Sequence, residues 1–325
     1  MFAVIINFVN DFVQGINELF PGRKSSWIAA DMSDQTGRVV IVTGGNAGIG
    51  LETVKQLLLK NAKVYMASRS RQRAEEAIAF LEKETGRRAI FLELDLASLA
   101  SVKNAVDEFT SKEEHLNVLY NSGGVMATPI NKLSADGFDL QFGTNTLGHF
   151  YLTQLLMPVL LKTSTINPND KPRVITTSAG MFRMYPQINY STLRDGPARR
   201  KLSPLQLYAQ SKTANIILSR ELARRYGDKI IAISLHPGVL RTELISHIWY
   251  LSWRPFAWLG SPMFHPTWMG ALNQLYAGTS PEAMILNGKY LIPWVRRGKL
   301  PATLEDPAVG EKLWGSLEEL VKNVA

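Results

Sequence analysis

Tyr208 and Lys212 are the side chains of this 325-residue sequence best suited to move a proton. They are four residues apart in a run that continues with helical spacing through 216–218, so both lie on one face of a predicted helix. A free tyrosine has a pKa of about 10, and a neighbouring ammonium lowers it by favouring the phenolate. Beside a hydride carrier, the pair can protonate a carbonyl oxygen or deprotonate an alcohol. Taken alone, such a pair is more often two surface residues.

A glycine-rich segment upstream has the form of a dinucleotide-binding turn. It reads Thr43-Gly44-Gly45-Asn46-Ala47-Gly48-Ile49-Gly50, follows the apolar run 39–42 and opens the helical run 51–58, before a second strand at 63–67. Glycines there permit a sharp turn, a close approach of amides to a pyrophosphate and tight helix packing. The predicted cofactor contacts are Gly44, Asn46, Gly48, Ile49 and Gly50. The alternative is an ordinary strand-to-helix turn.

Two further apolar runs end in residues that suit the same ligand. The run 89–94 ends at Asp95-Leu96, ahead of a helix over 98–109, and the run 116–120 ends at Asn121-Ser122-Gly123-Gly124. Ligands of open parallel sheets lie beyond the carboxyl ends of the strands, so these segments and 43–50 are expected to line one crevice. Asp95 could accept from the adenine amine or make loop hydrogen bonds. Leu96, Asn121 and Gly123 are predicted cofactor contacts.

The end of the second strand indicates which nicotinamide cofactor is bound. An acidic residue there holds the ribose hydroxyls of NAD, whereas a 2′-phosphate is matched by a small polar residue and an arginine. This sequence has Ser68-Arg69 at that position and no carboxylate. NADPH is therefore predicted over NADH, with an ordinary surface arginine as the alternative.

Six motifs occur in the order and near the spacings of one known family. They are Thr43-x-x-x-Gly48-x-Gly50, Asp95, Asn121-Ser122-Gly123-Gly124, Asn145 within 143–148, Tyr208-x-x-x-Lys212 and Pro237-Gly238-Val239-x-x-Thr242. Over residues 37–293 the sequence resembles the short-chain dehydrogenase/reductase family. The segments 141–150 and 287–293 are similar to its retinol-dehydrogenase and WW-domain oxidoreductase branch, which includes many fungal members. The resemblance implies an α/β, Rossmann-type, doubly wound parallel sheet of about seven strands with helices on both faces.

The resemblance also implies roles for individual residues. Tyr208 would be the proton donor or acceptor, while Lys212 would lower its pKa and hold the nicotinamide ribose. Asn145 would position a water in a proton relay. Val239 and Thr242 would hold the carboxamide end of the cofactor.

The serine position departs from the family pattern. Family members usually carry two serines after the fifth strand, the second of which orients the substrate carbonyl, but residues 173–180 read Arg-Val-Ile-Thr-Thr-Ser-Ala-Gly. An ungapped match places Ala179 at the catalytic position. A one-residue deletion places Ser178 there, and Thr176 or Thr177 could also supply a hydroxyl. Ser178 is the predicted catalytic residue, because a hydroxyl is needed to stabilise the developing oxyanion.

Two long segments indicate the kind of substrate. Residues 182–207 expand a turn that is short in many family members, and residues 248–264 are dense in aromatic residues and proline. Such segments usually form the substrate lid in this family. An apolar lid predicts a lipophilic ketone, aldehyde or alcohol as substrate. The alternative for residues 248–264 is a dimer or membrane-contact surface.

Strand-like and helical runs alternate with no low-complexity linker, so one domain is predicted over 37–325. Its cofactor half covers about 37–170, its catalytic and substrate half about 171–300, and its tail 301–325. Residues 1–36 form an extension in which apolar residues at 5, 8, 9, 12, 13, 16, 19 and 20 make one helical stripe. The default prediction is that this stripe packs on protein. Peripheral membrane contact through residues 1–20 or 248–264 is the alternative.

Composition excludes several functions. The net charge of +8 comes from separate basic clusters, which are more typical of solvated surface than of nucleic-acid binding. The sequence has no cysteine, so disulfides and zinc–thiolate sites are excluded, and its five histidines show no metal spacing and are predicted to be structural. A cytoplasmic location, or a peripheral one on an intracellular membrane, is predicted, as is the homodimer or homotetramer common in the family. The alternative function is a catalytically impaired NADP(H)-binding or interaction protein.

Overall fold

The computed structural model describes residues 25–240 and 265–322, and the strands of this part form one sheet. They are β1 (Val39–Thr43), β2 (Lys63–Ser68), β3 (Ile90–Glu93), β4 (Val118–Asn121), β5 (Arg173–Thr177), β6 (Ile231–Leu235), β7 (Tyr290–Ile292) and β8 (Arg296–Arg297). Their order in the sheet is β3-β2-β1-β4-β5-β6-β7-β8. The first seven are parallel and β8 pairs antiparallel with β7. The doubly wound fold is therefore confirmed, and β8 adds a strand that the sequence did not predict.

Helices connect the strands and cover both faces of the sheet. They are α1 (Gly48–Leu59), α2 (Arg71–Thr85), α3 (Leu99–Thr110), α4 (Leu140–Phe142), a π-helical turn (Gly143–Leu147), α5 (Gly148–Ile166), α6 (Pro197–Arg200), α7 (Pro204–Tyr226), α8 (Thr267–Thr279), α9 (Ala302–Glu305) and α10 (Pro307–Val321). Short 3₁₀ helices cover Ala29–Asp31, Gly180–Met184, Tyr190–Thr192 and Pro281–Leu286.

Two apolar cores lie on opposite faces of the sheet. One contains residues of α1, α2 and α8, and the other contains residues of α3, α5, α7 and α10. Because both faces are covered, β1, β5 and β6 are buried along their whole length, and the sequences of β1 and β6 are accordingly almost entirely apolar. The strand order reverses between β1 and β4, which places a crevice at the carboxyl ends of these strands.

The ends of the described chain pack on this framework. Trp314 of α10 lies edge-on to Phe150 with ring centroids 5.2 Å apart, and Trp27 contacts Tyr276 at 5.7 Å. The predicted amphipathic stripe of residues 1–20 and the predicted lid of residues 248–264 lie outside the described residues. No helix within 25–240 and 265–322 has the length and apolar character needed to cross a bilayer.

The turn after β1 depends on two glycines. Gly44 has φ +67, a conformation that side-chain-bearing residues rarely adopt. A Cβ atom at Gly50 would lie 2.3 Å from the Gly44 carbonyl oxygen. The start of α1 therefore lies directly against the turn, and this contact leaves no room for a methyl group.

We expect Gly50→Ala to lower the free energy of unfolding by about 1–3 kcal/mol, because the turn must shift to admit the Cβ atom. Gly315→Ala is the matched control, since Gly315 lies in α10 with open space around it. That control should gain about 0.5–1 kcal/mol of stability from alanine's helix propensity. Urea denaturation measures both variants, and equal stability of the two would contradict this description of the turn.

Candidate active site

A crevice of about 990 Å³ opens at the carboxyl ends of six strands, β1 to β6. The residues after each strand line it, as do Tyr208 and Lys212 of α7. The segments predicted to form one crevice are therefore brought together. At the glycine turn, Gly44, Asn46, Gly48, Ile49 and Gly50 all line it.

The start of α1 is suited to a phosphate. Its N-cap residue is Ala47, which has no side chain that could accept from the first-turn amides. A helix N-terminus with free amides attracts an anion, both through hydrogen bonds and through the helix dipole. The fit of a pyrophosphate at this end of the crevice therefore rests on the backbone of the chain.

The end of β2 is suited to a second anionic group. The Ser68 hydroxyl is buried, lines the crevice and has no hydrogen-bond partner among the described residues. Arg69 is exposed beside it, and no ion pair joins it to any described residue. The nearby Glu93 carboxylate is paired with Arg71 at 3.2 Å. The end of β2 therefore has the two groups on which the 2′-phosphate prediction rests, the Ser68 hydroxyl and the Arg69 cation.

The ends of β3 and β4 match the prediction in part. Asp95 and Leu96 line the crevice, and Asp95 Oδ1 also accepts the Ala97 amide at 2.9 Å. Gly123 lines it as well. Asn121 does not line it, because this side chain lies on the other side of the strand and donates to Thr153 Oγ1 at 3.1 Å. The side chain of Asn121 is therefore not placed to contact a cofactor in the crevice, and the predicted contact of Asn121 stays a prediction for its backbone alone.

Tyr208 and Lys212 lie on one face of α7, a helix that begins with a capping box between Ser203 and Gln206. Both side chains are 4% exposed. Lys212 Nζ donates to the Thr177 carbonyl at 3.0 Å and lies 5.6 Å from the centre of the Tyr208 ring. Burial lowers the pKa of Lys212 to about 8 and raises the pKa of Tyr208 above its usual value. The phenol is therefore the proton-donating form at neutral pH.

Asn145 lies in the π-helical turn, fully buried between the crevice and α7. Its Oδ1 accepts the Val125 amide at 2.8 Å, and its Nδ2 donates to the Val125 carbonyl at 2.9 Å and to Ser211 Oγ at 3.0 Å. A Cβ atom on Gly124 would lie 2.8 Å from Asn145 Oδ1 and 3.7 Å from Lys212 Nζ. Asn145 is thus close to the lysine, but the described protein groups already bind both hydrogens of its amide.

A buried network that the sequence did not predict connects Asn145 to the glycine turn. The Thr43 hydroxyl accepts the amides of Ser122 and Gly123 at 2.9 and 2.8 Å and lies 2.9 Å from His149 Nε2. His149 Nδ1 lies 2.9 Å from the Asn145 carbonyl oxygen. Since that oxygen can only accept, Nδ1 carries the proton and Nε2 accepts from Thr43. Burial lowers the pKa of His149 to about 4, so the ring is neutral.

Gln274 of α8 was also missed by the sequence analysis. This buried side chain accepts from Thr53 Oγ1 at 2.6 Å and donates to Ser122 Oγ at 2.7 Å and to Thr177 Oγ1 at 2.8 Å. It therefore joins α1 to the ends of β4 and β5 beneath the crevice. Its signal is absent from local sequence patterns, because its partners are distant along the chain.

Ser178 does not present its hydroxyl hydrogen to the crevice. Its Oγ donates to the Lys212 carbonyl at 2.7 Å, and the side chain is 1% exposed. A serine hydroxyl has one hydrogen, so this bond occupies its donor. Ala179 lines the crevice without a hydroxyl. The predicted role of Ser178 as donor to the substrate oxygen is therefore not supported by the geometry.

The far end of the crevice is mostly apolar. We define this apolar far end by the lining residues Val125, Met126, Leu140, Met181, Met184, Pro186 and Leu240. Val239 also lines the crevice, and its carbonyl accepts the His265 amide at 2.9 Å. Thr242, the other residue predicted to hold the carboxamide, lies outside the described residues.

Comparison with known proteins gives the same family as the motifs. Residues 38–192 match the family model described as short chain dehydrogenase. A short-chain dehydrogenase/reductase of Armillaria gallica is 52% identical over 305 residues, which cover 93% of this chain and 96% of that protein. Retinol dehydrogenase 14 of Mus musculus is 38% identical over 299 residues, covering 88% of this chain and 86% of that protein.

Solved structures share the fold. A crystal structure of a protein from Mycobacterium paratuberculosis superposes with a TM-score of 0.72 at 30% identity, covering 91% of this chain and 97% of that one. A short chain dehydrogenase from Escherichia coli CFT073, described as complexed with NADPH, has a TM-score of 0.60 at 18% identity, covering 79% and 96% of the two chains. This chain is therefore an oxidoreductase of the short-chain dehydrogenase/reductase family, similar to fungal members and to retinol dehydrogenases.

Proposed function

We propose that this protein interconverts a lipophilic ketone or aldehyde and its alcohol, with NADPH as the preferred cofactor. The observation that carries the proposal is the meeting of three features in one crevice. These are a free helix N-terminus, the Tyr208 and Lys212 pair, and an apolar far end. Hydride transfer needs a cofactor site, a proton donor and a substrate pocket, and each feature is suited to one of these.

The residues that would hold NADPH are those of the glycine turn and the strand ends. The amides at the start of α1 would bind the pyrophosphate, and Ser68 and Arg69 would bind the 2′-phosphate. Lys212 would donate to the nicotinamide ribose from the base of the crevice. When bound, reduced nicotinamide supplies the hydride that a carbonyl carbon accepts.

Tyr208 would give its phenolic proton to the carbonyl oxygen in reduction, and its phenolate would take the alcohol proton in oxidation. The Lys212 ammonium, 5.6 Å from the centre of the Tyr208 ring, would favour the phenolate through its charge and so oppose the rise in pKa that burial of Tyr208 causes. Asn145 would position this end of α7 through its bond to Ser211. The roles of Tyr208 and Lys212 extend the family pattern to this chain, whereas the role of Asn145 differs from the water-positioning role that the family resemblance implies.

The apolar far end supports a lipophilic substrate. Its three methionines are flexible side chains that adapt to irregular apolar shapes. The similarity to a protein named retinol dehydrogenase supports the same substrate class. A homodimer or homotetramer, and a location in the cytoplasm or on an intracellular membrane surface, stay predictions.

One observation favours a second candidate function, an NADP(H)-binding protein with impaired catalysis. Ala179 has no hydroxyl, and the hydroxyl of Ser178 is bound to Lys212. Purified protein would then bind NADPH and reduce none of a panel of decanal, all-trans-retinal and a steroid ketone. Turnover of any of the three rules this candidate out.

Arg69→Ala should weaken NADPH binding about ten-fold and leave NADH binding unchanged, because only NADPH carries the 2′-phosphate. Nicotinamide fluorescence titration measures both dissociation constants. Arg87→Ala is the matched control, since Arg87 is an exposed arginine after α2 that does not line the crevice. Equal weakening of NADH, or wild-type protein that prefers NADH, would refute Arg69 as the phosphate-binding residue.

Tyr208→Phe should reduce kcat at least 10³-fold, because it removes the group that exchanges the proton. The dissociation constant of NADPH should stay within about three-fold, since the phenol hydroxyl is a minor part of the cofactor site. Tyr226→Phe, at the end of the same helix and away from the crevice, should keep wild-type kcat. Substantial carbonyl reduction by Tyr208→Phe would show that another group supplies the proton.

Alcohol oxidation should rise about ten-fold in kcat/KM per pH unit from pH 6 to pH 8, while carbonyl reduction stays nearly constant. The reason is that burial raises the pKa of Tyr208, so the phenol persists at neutral pH and the phenolate grows with pH. Initial rates in both directions test this expectation. Oxidation that is independent of pH over this interval would contradict it.

A further inference from the structure

Among the described residues, the serine predicted to bind the substrate oxygen beside Tyr208 does not have a free hydroxyl hydrogen. Ser178 donates to the Lys212 carbonyl, and Ala179 follows it with no donor. Thr177 projects to the opposite face of the sheet from α7, where its hydroxyl accepts from Gln274 of α8. A carbonyl oxygen that gains negative charge during hydride transfer needs a hydrogen-bond donor close by.

His236 lies next to the position without a hydroxyl. It follows β6, whose Leu235 carbonyl accepts the Ser178 amide at 2.7 Å, so the imidazole is beside the Ala179–Gly180 segment. A Cβ atom on Gly180 would lie 3.1 Å from His236 Nε2, and both residues line the crevice. A side chain at position 180 would therefore lie in tight contact with this nitrogen.

The Nε2 atom of His236 is a donor that no described residue binds. The Gly238 amide lies 3.3 Å from His236 Nδ1 and can only donate, so Nδ1 is the acceptor and the neutral ring carries its proton on Nε2. That atom is buried and has no hydrogen-bond partner among the described residues. Burial, together with the nearby Arg183 cation, lowers the pKa of His236 to about 4, so the ring is neutral at pH 7.

We propose that His236 Nε2–H donates the hydrogen bond to the substrate oxygen that a serine hydroxyl supplies elsewhere in the family. This inference rests on the proposed function. In reduction, the carbonyl carbon gains a hydride from reduced nicotinamide and the oxygen gains the phenolic proton of Tyr208. His236 keeps its proton and only stabilises the charge on that oxygen.

Thr144 is the competing donor. Its hydroxyl is buried, lines the crevice and has no hydrogen-bond partner among the residues of the described ranges. It lies in the π-helical turn beside Asn145, whereas His236 lies beside Ala179. The position next to Ala179 favours His236, because that is where the family pattern places the serine.

The kinetic test uses three full-length single variants, His236→Ala, His236→Gln and Thr144→Val. It also uses one double variant, which combines Ala179→Ser with His236→Ala. Each is assayed with NADPH and with the carbonyl of the panel that wild type reduces fastest. His236→Ala should lower kcat roughly 10²-fold with NADPH affinity unchanged, as expected for one oxyanion donor. Glutamine places an amide donor near the Nε2 position and should retain kcat within about ten-fold. Ala179→Ser should recover at least ten-fold in kcat in the His236→Ala background. His115→Ala, which changes a histidine far from the crevice, should match wild type.

The inference is overturned if wild type turns over and His236→Ala keeps kcat within about three-fold, or if only Thr144→Val lowers it. Wild-type protein that binds NADPH but reduces no carbonyl would instead refute the proposed function. A measurement independent of activity, and of how the variants fold, is ¹⁵N imidazole NMR of wild-type protein. The Nε2–H tautomer is expected for His236 and the Nδ1–H tautomer for His149, which serves as the internal reference. An Nδ1–H tautomer at His236 would also overturn the inference.

Discussion

The burial of Lys212 between α7 and the end of β5 is the constraint on which the site depends. A buried amine is costly unless polar groups surround it, and the Thr177 carbonyl at 3.0 Å is the hydrogen-bond acceptor that the described residues provide. Two more hydrogen bonds join α7 to the end of β5. Ser178 donates to the Lys212 carbonyl, and Asn215 donates to the Thr177 carbonyl at 3.1 Å. These contacts fix the register of α7 on the sheet and hence the position of Tyr208. Perturbed titration of a lysine and a tyrosine in one crevice is typical of a functional site.

The hydrogen bonds between α7 and the end of β5 determine which side chains remain to bind a substrate. Because the Ser178 hydroxyl contributes to holding α7, it is not available to a substrate oxygen. The neighbouring strand end offers His236, whose ring is oriented by the Gly238 amide. We infer that the structural and catalytic duties that two serines carry in the family pattern are divided here between Ser178 and His236. The division requires glycine at position 180, where a side chain would lie against Nε2.

Local patterns predicted the alternation of strands and helices, and the family resemblance supplied the doubly wound sheet. The strand, glycine turn and helix around residues 39–59 are encoded within a short stretch, and covered parallel strands have the nearly continuous apolar sequences seen in β1 and β6. The short antiparallel β8 was missed because two residues, Arg296 and Arg297, carry no strand pattern of their own.

The site was predictable where local position determines direction, at the ends of the strands and along one face of α7. Residues at strand ends, such as Asp95 and Gly123, were placed correctly in the crevice. Asn121 is still within β4, so its side chain follows the alternation of the strand and points away. Gln274 and the pair Thr43 and His149 depend on contacts between distant parts of the chain, which spacing does not encode. Ser178 was predicted because it is the one serine in residues 173–180. The direction of its hydroxyl is determined by the packing of α7 against β5, which the sequence pattern does not show.

The central claim is that this crevice carries hydride from a nicotinamide to a carbonyl carbon. The most direct measurement supplies NADPH deuterated on the transferred face of C4, together with decanal, and analyses the alcohol by mass spectrometry. The account predicts one deuterium per product molecule, located on the former carbonyl carbon. Alcohol formed without deuterium, or tight NADPH binding with no reduction of any carbonyl in the panel, would contradict it.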